Sequence, residues 1–183
     1  MVEQPVRPED RRSPAGGRWC GLLALLAILT GCSGIQVQTD YDRDRDFSRY
    51  TSFAWYNPPA PATTGLGVTL DEDMQRRLMR RVGERLEQRG LQPSTPLAAD
   101  LRLRYLVTVE ERVQFNDPFY VHDVRTTYEE GSLVLEFVDA NTGNLAWRGV
   151  GRARLRESAS PEAQIERMEK AVDAVLDRYP GGR

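Results

Sequence analysis

Apolar positions along the chain switch between a period of two and a period near four. Ile35, Val37 and Thr39 alternate with Gln36 and Gln38, which predicts a half-buried strand. Thr51, Phe53 and Trp55 alternate with Ser52 and Ala54 and predict a second. Leu70, Met74, Leu78, Val82 and Leu86 then recur every four residues. They mark one face of a helix over about residues 70–89, with Thr69 as its N-cap, Glu72 completing a capping box and Gly90 as the stop. Leu101, Leu103, Tyr105, Val107 and Val109 alternate with Arg102, Arg104 and Thr108 as a long strand with one wet face. Leu133, Leu135 and Phe137 form the next strand, DANTGN (139–144) a turn, and Leu145 and Trp147 the start of the return strand. The inward face of that strand narrows to Gly149, Gly151 and Ala153, small enough for a helix to pack closely. Ser160 and Pro161 open a last helix carrying Ile165, Met168, Val172, Val175 and Tyr179, and Pro180 closes it. The order β-β-α-β-β-β-α predicts an α+β domain: an antiparallel sheet of four to five strands with two amphipathic helices on one face.

Two stretches fall outside this periodicity. Residues 57–67, NPPAPATTGLG, read as a surface loop. Trp19–Leu29 is a continuous apolar run preceded by Arg11, Arg12 and Arg18, too short for a membrane-spanning helix, which needs roughly 20 apolar residues. Its position and flanks are those of a secretory signal. The tetrad Leu29-Thr30-Gly31-Cys32 that ends it resembles the bacterial lipobox. That resemblance implies removal of residues 1–31, lipidation of Cys32 by acyl chains such as palmitate, a short tether over 32–34 and a single domain over 35–180. Two or three acyl chains make an effectively permanent anchor. Ser33 after the cysteine implies sorting to the outer membrane, with the domain facing the periplasm close to the bilayer.

The mature chain of 152 residues is enough for one domain with a core. The leader takes four basic and three acidic residues with it. This leaves 21 basic against 24 acidic residues, a net charge of −3. Nothing in that balance favours nucleic acid. Cys20 leaves with the leader and Cys32 carries lipid, so no disulfide or free thiol is expected in the domain.

Candidate chemistry is sparse. Asp40, Asp42, Asp44 and Asp46 suggest the start of a calcium loop, but the glycine and closing glutamate positions hold Phe47 and Phe53. His122 is the single histidine, next to Asp123, without the G-x-S-x-G elbow of a hydrolase. Glu129 with Glu130, or Glu110 with Glu111, are conceivable carboxylate pairs, although paired glutamates usually face water. No cofactor and no metal is expected, and the chain is read as a non-enzyme. Phe115, Phe119, Tyr120 and Tyr128 cluster around an Asn116-Asp117-Pro118 turn, either as an interaction loop or as a closure over one end of the core. Arg102, Arg104, Arg148, Arg152 and Arg154, with Arg156, share a sheet face that either engages acidic groups or is solvated and paired with residues such as Glu136.

The segments VQTDYDRDRDFSRYTSFAW (37–55), ADLRLRY (99–105) and EGSLVLEFVDANTGNLAWRG (130–149) resemble a family of bacterial envelope lipoproteins catalogued as domain of unknown function 4136. The resemblance covers nearly all of the mature chain. It implies a compact α+β domain and transfers no catalytic residue. The expectation is a binding or assembly module of the envelope, held to the membrane through its lipid, with an unknown envelope protein or lipid as partner. The alternatives are a carrier or sensor of a small or lipidic ligand between helices and sheet and, remotely, a hydrolase. A deep apolar pocket under the helices would favour the carrier; a shallow surface with exposed Phe119 and Tyr120 would favour assembly.

Overall fold

The computed structural model describes residues 34–56, 70–115, 125–155 and 159–182, with the side chains of 115, 125 and 126 left aside. The leader with Cys32, the Pro-rich loop, the 116–124 loop with Phe119, Tyr120 and His122, and Arg156 therefore lie outside the described residues. The elements run β1 (Ile35–Asp40), a short 3-10 turn (Phe47–Arg49), β2 (Ser52–Trp55), α1 (Glu72–Glu87), β3 (Gln92–Pro93), β4 (Leu101–Phe115), β5 (Arg125–Asp139), β6 (Leu145–Arg154) and α2 (Pro161–Leu176). The strands form one sheet in the order β1-β6-β5-β4-β2-β3.

The α+β class and the two helices match the pattern, but the sheet is mixed and six-stranded rather than antiparallel with four or five strands. β4-β5, β5-β6 and β1-β6 are antiparallel. β2 runs parallel to β4 and to β3, because α1 carries the chain from β2 back to the same end of the sheet. β3, at two residues, is too short to leave a period. β4 and β5 are each 15 residues long and outrun the predicted spans. Their outer ends, EERVQF and RTTYEE, carry mixed polar residues that pair through the ladder without an apolar alternation.

The helix ends also differ. Asp71 caps α1, its side chain accepting the Met74 N–H at 2.8 Å, so the helix starts at Glu72 rather than after Thr69. α2 opens at Ser160-Pro161 as expected but ends at Leu176, four residues before Pro180. There the N–H groups of Arg178 and Tyr179 turn back to the carbonyls of Val175 and Leu176.

Burial grades along both helices. Leu78, Val82 and Leu86 on α1, and Val172, Val175 and Leu176 on α2, are fully buried over Leu101, Leu103, Leu135, Phe137 and Trp147. Each such side chain contributes about 1.5–3 kcal/mol relative to exposure. Leu70, Met74, Ile165 and Met168, toward the N-terminal ends, are only half-buried. The C-terminal halves are also tied together by charge: Arg81 grips Asp173 through two N–H groups at 2.9 and 2.6 Å, and Arg85 bonds Asp177. Gly149 and Gly151 make the close approach of α2 possible. A Cβ on Gly149 would stand 2.6 Å from the Val175 Cγ1, and one on Gly151 2.8 Å from the Val175 Cγ2.

Candidate functional site

The grading of burial leaves a cleft of about 370 Å³ under the N-terminal halves of the helices. Its floor consists of two cross-strand rows, Val107–Leu133–Gly151 and Val109–Gly131–Ala153. The first residue of each row comes from β4, the second from β5 and the third from β6. The two glycines and the alanine keep the floor low. Leu155 folds over Gly131, where an added Cβ would meet its Cδ2 at 2.9 Å. Leu70, just before α1, Met74 of α1 and Ala163, Met168 and Ala171 of α2 supply the walls. Glu129, Gln164 and Arg167 are the charged and amide groups of the lining. The site is thus alkyl-walled with a small polar rim, which suits an elongated apolar ligand with a polar end.

At that rim the sheet register opposes Glu111 to Glu129 on the helix side. One step along, on the far side, it opposes Glu110 to Glu130. Sequence neighbours point to opposite faces of a strand. The adjacent pairs Glu129/Glu130 and Glu110/Glu111 are therefore not carboxylate pairs. The pairs that face each other lie across the strands. Arg112 bridges Glu110 and Glu130, at 2.9 and 3.3 Å.

The predicted arginines do share the face away from the helices, as the register of β4, β5 and β6 places them. Arg104 and Arg148 flank Glu136 at 3.0 and 3.8 Å. Arg152 donates to the Gln38 side chain and Arg102 to the Pro96 carbonyl. Arg154 stacks over the Tyr128 ring, 4.3 Å from its centroid, so one member of the aromatic set meets one of the basic set. Phe115 ends β4.

The segments that carry the family resemblance meet at the other end of the sheet. Asp139, fully buried, accepts the Tyr50 hydroxyl at 2.9 Å and the N–H groups of Asn141 and Thr142 at 2.9 and 3.1 Å. Arg45 and Arg49 stand 3.5 Å away. Burial alone would raise this carboxyl, but the Tyr50 and backbone hydrogen bonds and the Arg49 charge outweigh it and hold it below the usual carboxylate range. Asp100 accepts from the backbone and hydroxyl groups of both Thr51 and Ser52, within 2.9–3.0 Å. These bonds, the Thr51 N–H first, hold it low against the opposing effect of burial. The DYDRDRDFSRY stretch is therefore a clamp on the DANTGN turn: Asp46 caps the 3-10 turn and Asp42 accepts the Asp44 N–H. Leu133, on the cleft floor, is six residues from Asp139 along β5, about 20 Å.

The cleft itself was not predicted as a residue set. Its signal was present in the small residues Gly131, Gly151 and Ala153, but the lining comes from separate segments of the chain. Among the described residues no group of three His, Cys, Asp or Glu side chains is gathered as a metal site, and no helix is long and apolar enough to cross a membrane.

Solved structures share this fold. A PDZ domain protein from Parabacteroides distasonis ATCC 8503 superposes with a TM-score of 0.52 at 15% identity, over 81% of this chain and 37% of that one. This chain thus spans little more than a third of that protein. A DUF4136 family protein from Bacteroides thetaiotaomicron VPI-5482 superposes with the same TM-score and identity, over 80% of this chain and 96% of that one. No curated protein matches the chain. At such identities the similarity shows the fold alone. Residues 37–181 match the family described as a domain of unknown function (DUF4136), and the chain belongs to that family.

Proposed function

We propose that the protein is a non-enzymatic lipoprotein of the outer membrane, facing the periplasm, whose domain is a binding module that shelters one acyl chain of a lipidic ligand. The observation that carries this reading is the cleft. It is in the size range of small-molecule sites, and its floor and walls are alkyl groups. Walls of Val, Leu, Met and Ala support sheltering over bond breaking. The lipobox-like tetrad and Ser33 support the address. The test is titration of the mature chain with a fluorescent fatty-acyl probe. Saturable one-to-one binding is expected. Ala163→Phe, at an exposed position of the cleft wall, should weaken it at least tenfold with an unchanged melting temperature. Non-saturable partitioning, or binding indifferent to Ala163→Phe, would overturn the reading.

A second reading, assembly with an envelope protein, is favoured by the outer part of the β4–β5 hairpin. From Glu111↔Glu129 to Phe115↔Arg125 the two strands pair only with each other among the described elements, and Val113 is 49% exposed. A lone two-stranded ribbon is marginally stable in water, so a partner there would stabilise it. In-cell photo-crosslinking from Val113 and Phe119 tests it: recovery of one protein supports assembly, and no capture counts against it.

A further inference from the structure

We infer that the ligand of the cleft is a single-chain zwitterionic lipid, its head carrying a phosphate and an ammonium group; this rests on the acyl-sheltering reading above. The cleft, at about 370 Å³, takes one alkyl chain rather than the paired tails of a diacyl lipid. The head is specified by the charges at the rim.

The two carboxylate pairs of the hairpin make an internal comparison. On the solvent face, Glu110 opposite Glu130 is neutralised by Arg112. On the cleft face, Glu111 stands opposite Glu129 in the next pair of the ladder, and no described side chain forms an ion pair with either residue. Like charges directly opposite each other across strands are destabilising. A cationic group seated there would relieve them as Arg112 relieves the other pair. Across the rim, Arg167 of α2 donates one N–H to the Arg154 carbonyl. A guanidinium has five N–H donors, so the remainder can serve a phosphate. The Glu129 carbonyl accepts the Leu155 N–H at 2.7 Å. Arg167 and the Glu129 backbone therefore bond to the two sides of one peptide group, between residues 154 and 155. A tail between the floor rows, a phosphate on Arg167 and an ammonium on the glutamate pair use every charged group of the rim.

The experiment is calorimetric titration of the mature protein with four lipids of one chain length, each below its micellar concentration: lysophosphatidylethanolamine, lysophosphatidylglycerol, an alkylammonium and a neutral monoacylglycerol. The zwitterion should bind about tenfold more tightly than the neutral lipid, about 1.4 kcal/mol. Glu129→Gln should abolish the preference for the zwitterion over the purely anionic lipid. Arg167→Gln should abolish the preference for either phosphate lipid over the neutral one. The readout in both variants is the ratio of affinities between the lipids. Equal affinity of the wild-type protein for all four lipids would overturn the head assignment and leave the acyl-sheltering reading standing, as would preferences that survive both substitutions. No saturable binding of any lipid would overturn both.

Discussion

Tyr50 donates its hydroxyl hydrogen to Asp139 at 2.9 Å, across 89 positions of sequence. The same hydroxyl accepts from the Arg45 guanidinium at 2.9 Å. Three groups from two distant segments thus satisfy one another inside the core. Tyr50→Phe should cost about 1–3 kcal/mol, since Arg45 and Asp139 each lose a partner. Asp139→Ala should cost about 3–5 kcal/mol, because Arg45 then loses its buried counter-ion and two backbone N–H groups lose their acceptor. Urea denaturation monitored through the tryptophans measures both. A loss under 0.5 kcal/mol for Asp139→Ala, on the order of a surface substitution, would show that the clamp is idle.

Asp139 and Asp100 also set an acid limit. Both carboxyls are held below their ordinary value in the folded protein. The stability each contributes is therefore complete above the unfolded value, near pH 4, and is lost as pH falls through the lower folded value. Wild-type stability should decline as the pH drops below about 4. Asp100→Asn should be less stable at pH 7 and show a shallower acid decline. Parallel pH profiles for the two proteins would sink this assignment.

Gly149 and Val175 should be energetically coupled. Gly149→Ala forces a methyl group against Val175 and the Trp147 ring and should cost about 1–3 kcal/mol. Adding Val175→Ala should return part of that loss, so the double variant is more stable than the sum of the two single changes predicts. Simple additivity in a double-mutant cycle would place the strain elsewhere.

The anchor has its own check. Cys32→Ala should leave the leader unprocessed or release the protein from membranes, read by fractionation and by the mass of the mature amino terminus. Normal processing with unchanged membrane association would refute the lipobox reading.

Periodicity made most of the scaffold legible. β1, the buried stripe of α1 and the cap of α2 follow from residues such as Val37, Leu78 and Ser160, because each burial pattern is local. The parallel pairing of β2 with β4 was not legible, since it depends on where α1 returns the chain. The outer hairpin was not legible either, because Glu111, Arg112 and Thr127 carry no apolar alternation. Asp139 stood in a turn sequence that reads the same whether or not a tyrosine from elsewhere reaches it. The cleft escaped for a related reason: it is defined by absent volume at Gly131 and Gly151, and sequence reports which side chains are present more readily than where space remains between them.

The sheet order carries a consequence for synthesis. β1 finds its only described strand neighbour in β6, with Gln38 facing Val150, so the first strand made waits for the last. At about 5–20 residues per second, the intervening chain takes roughly 6–20 s to emerge. During that interval the β1 segment has no ladder to join. A nascent chain arranged in this way stays open at its leading end and remains threadable until its final strand is available.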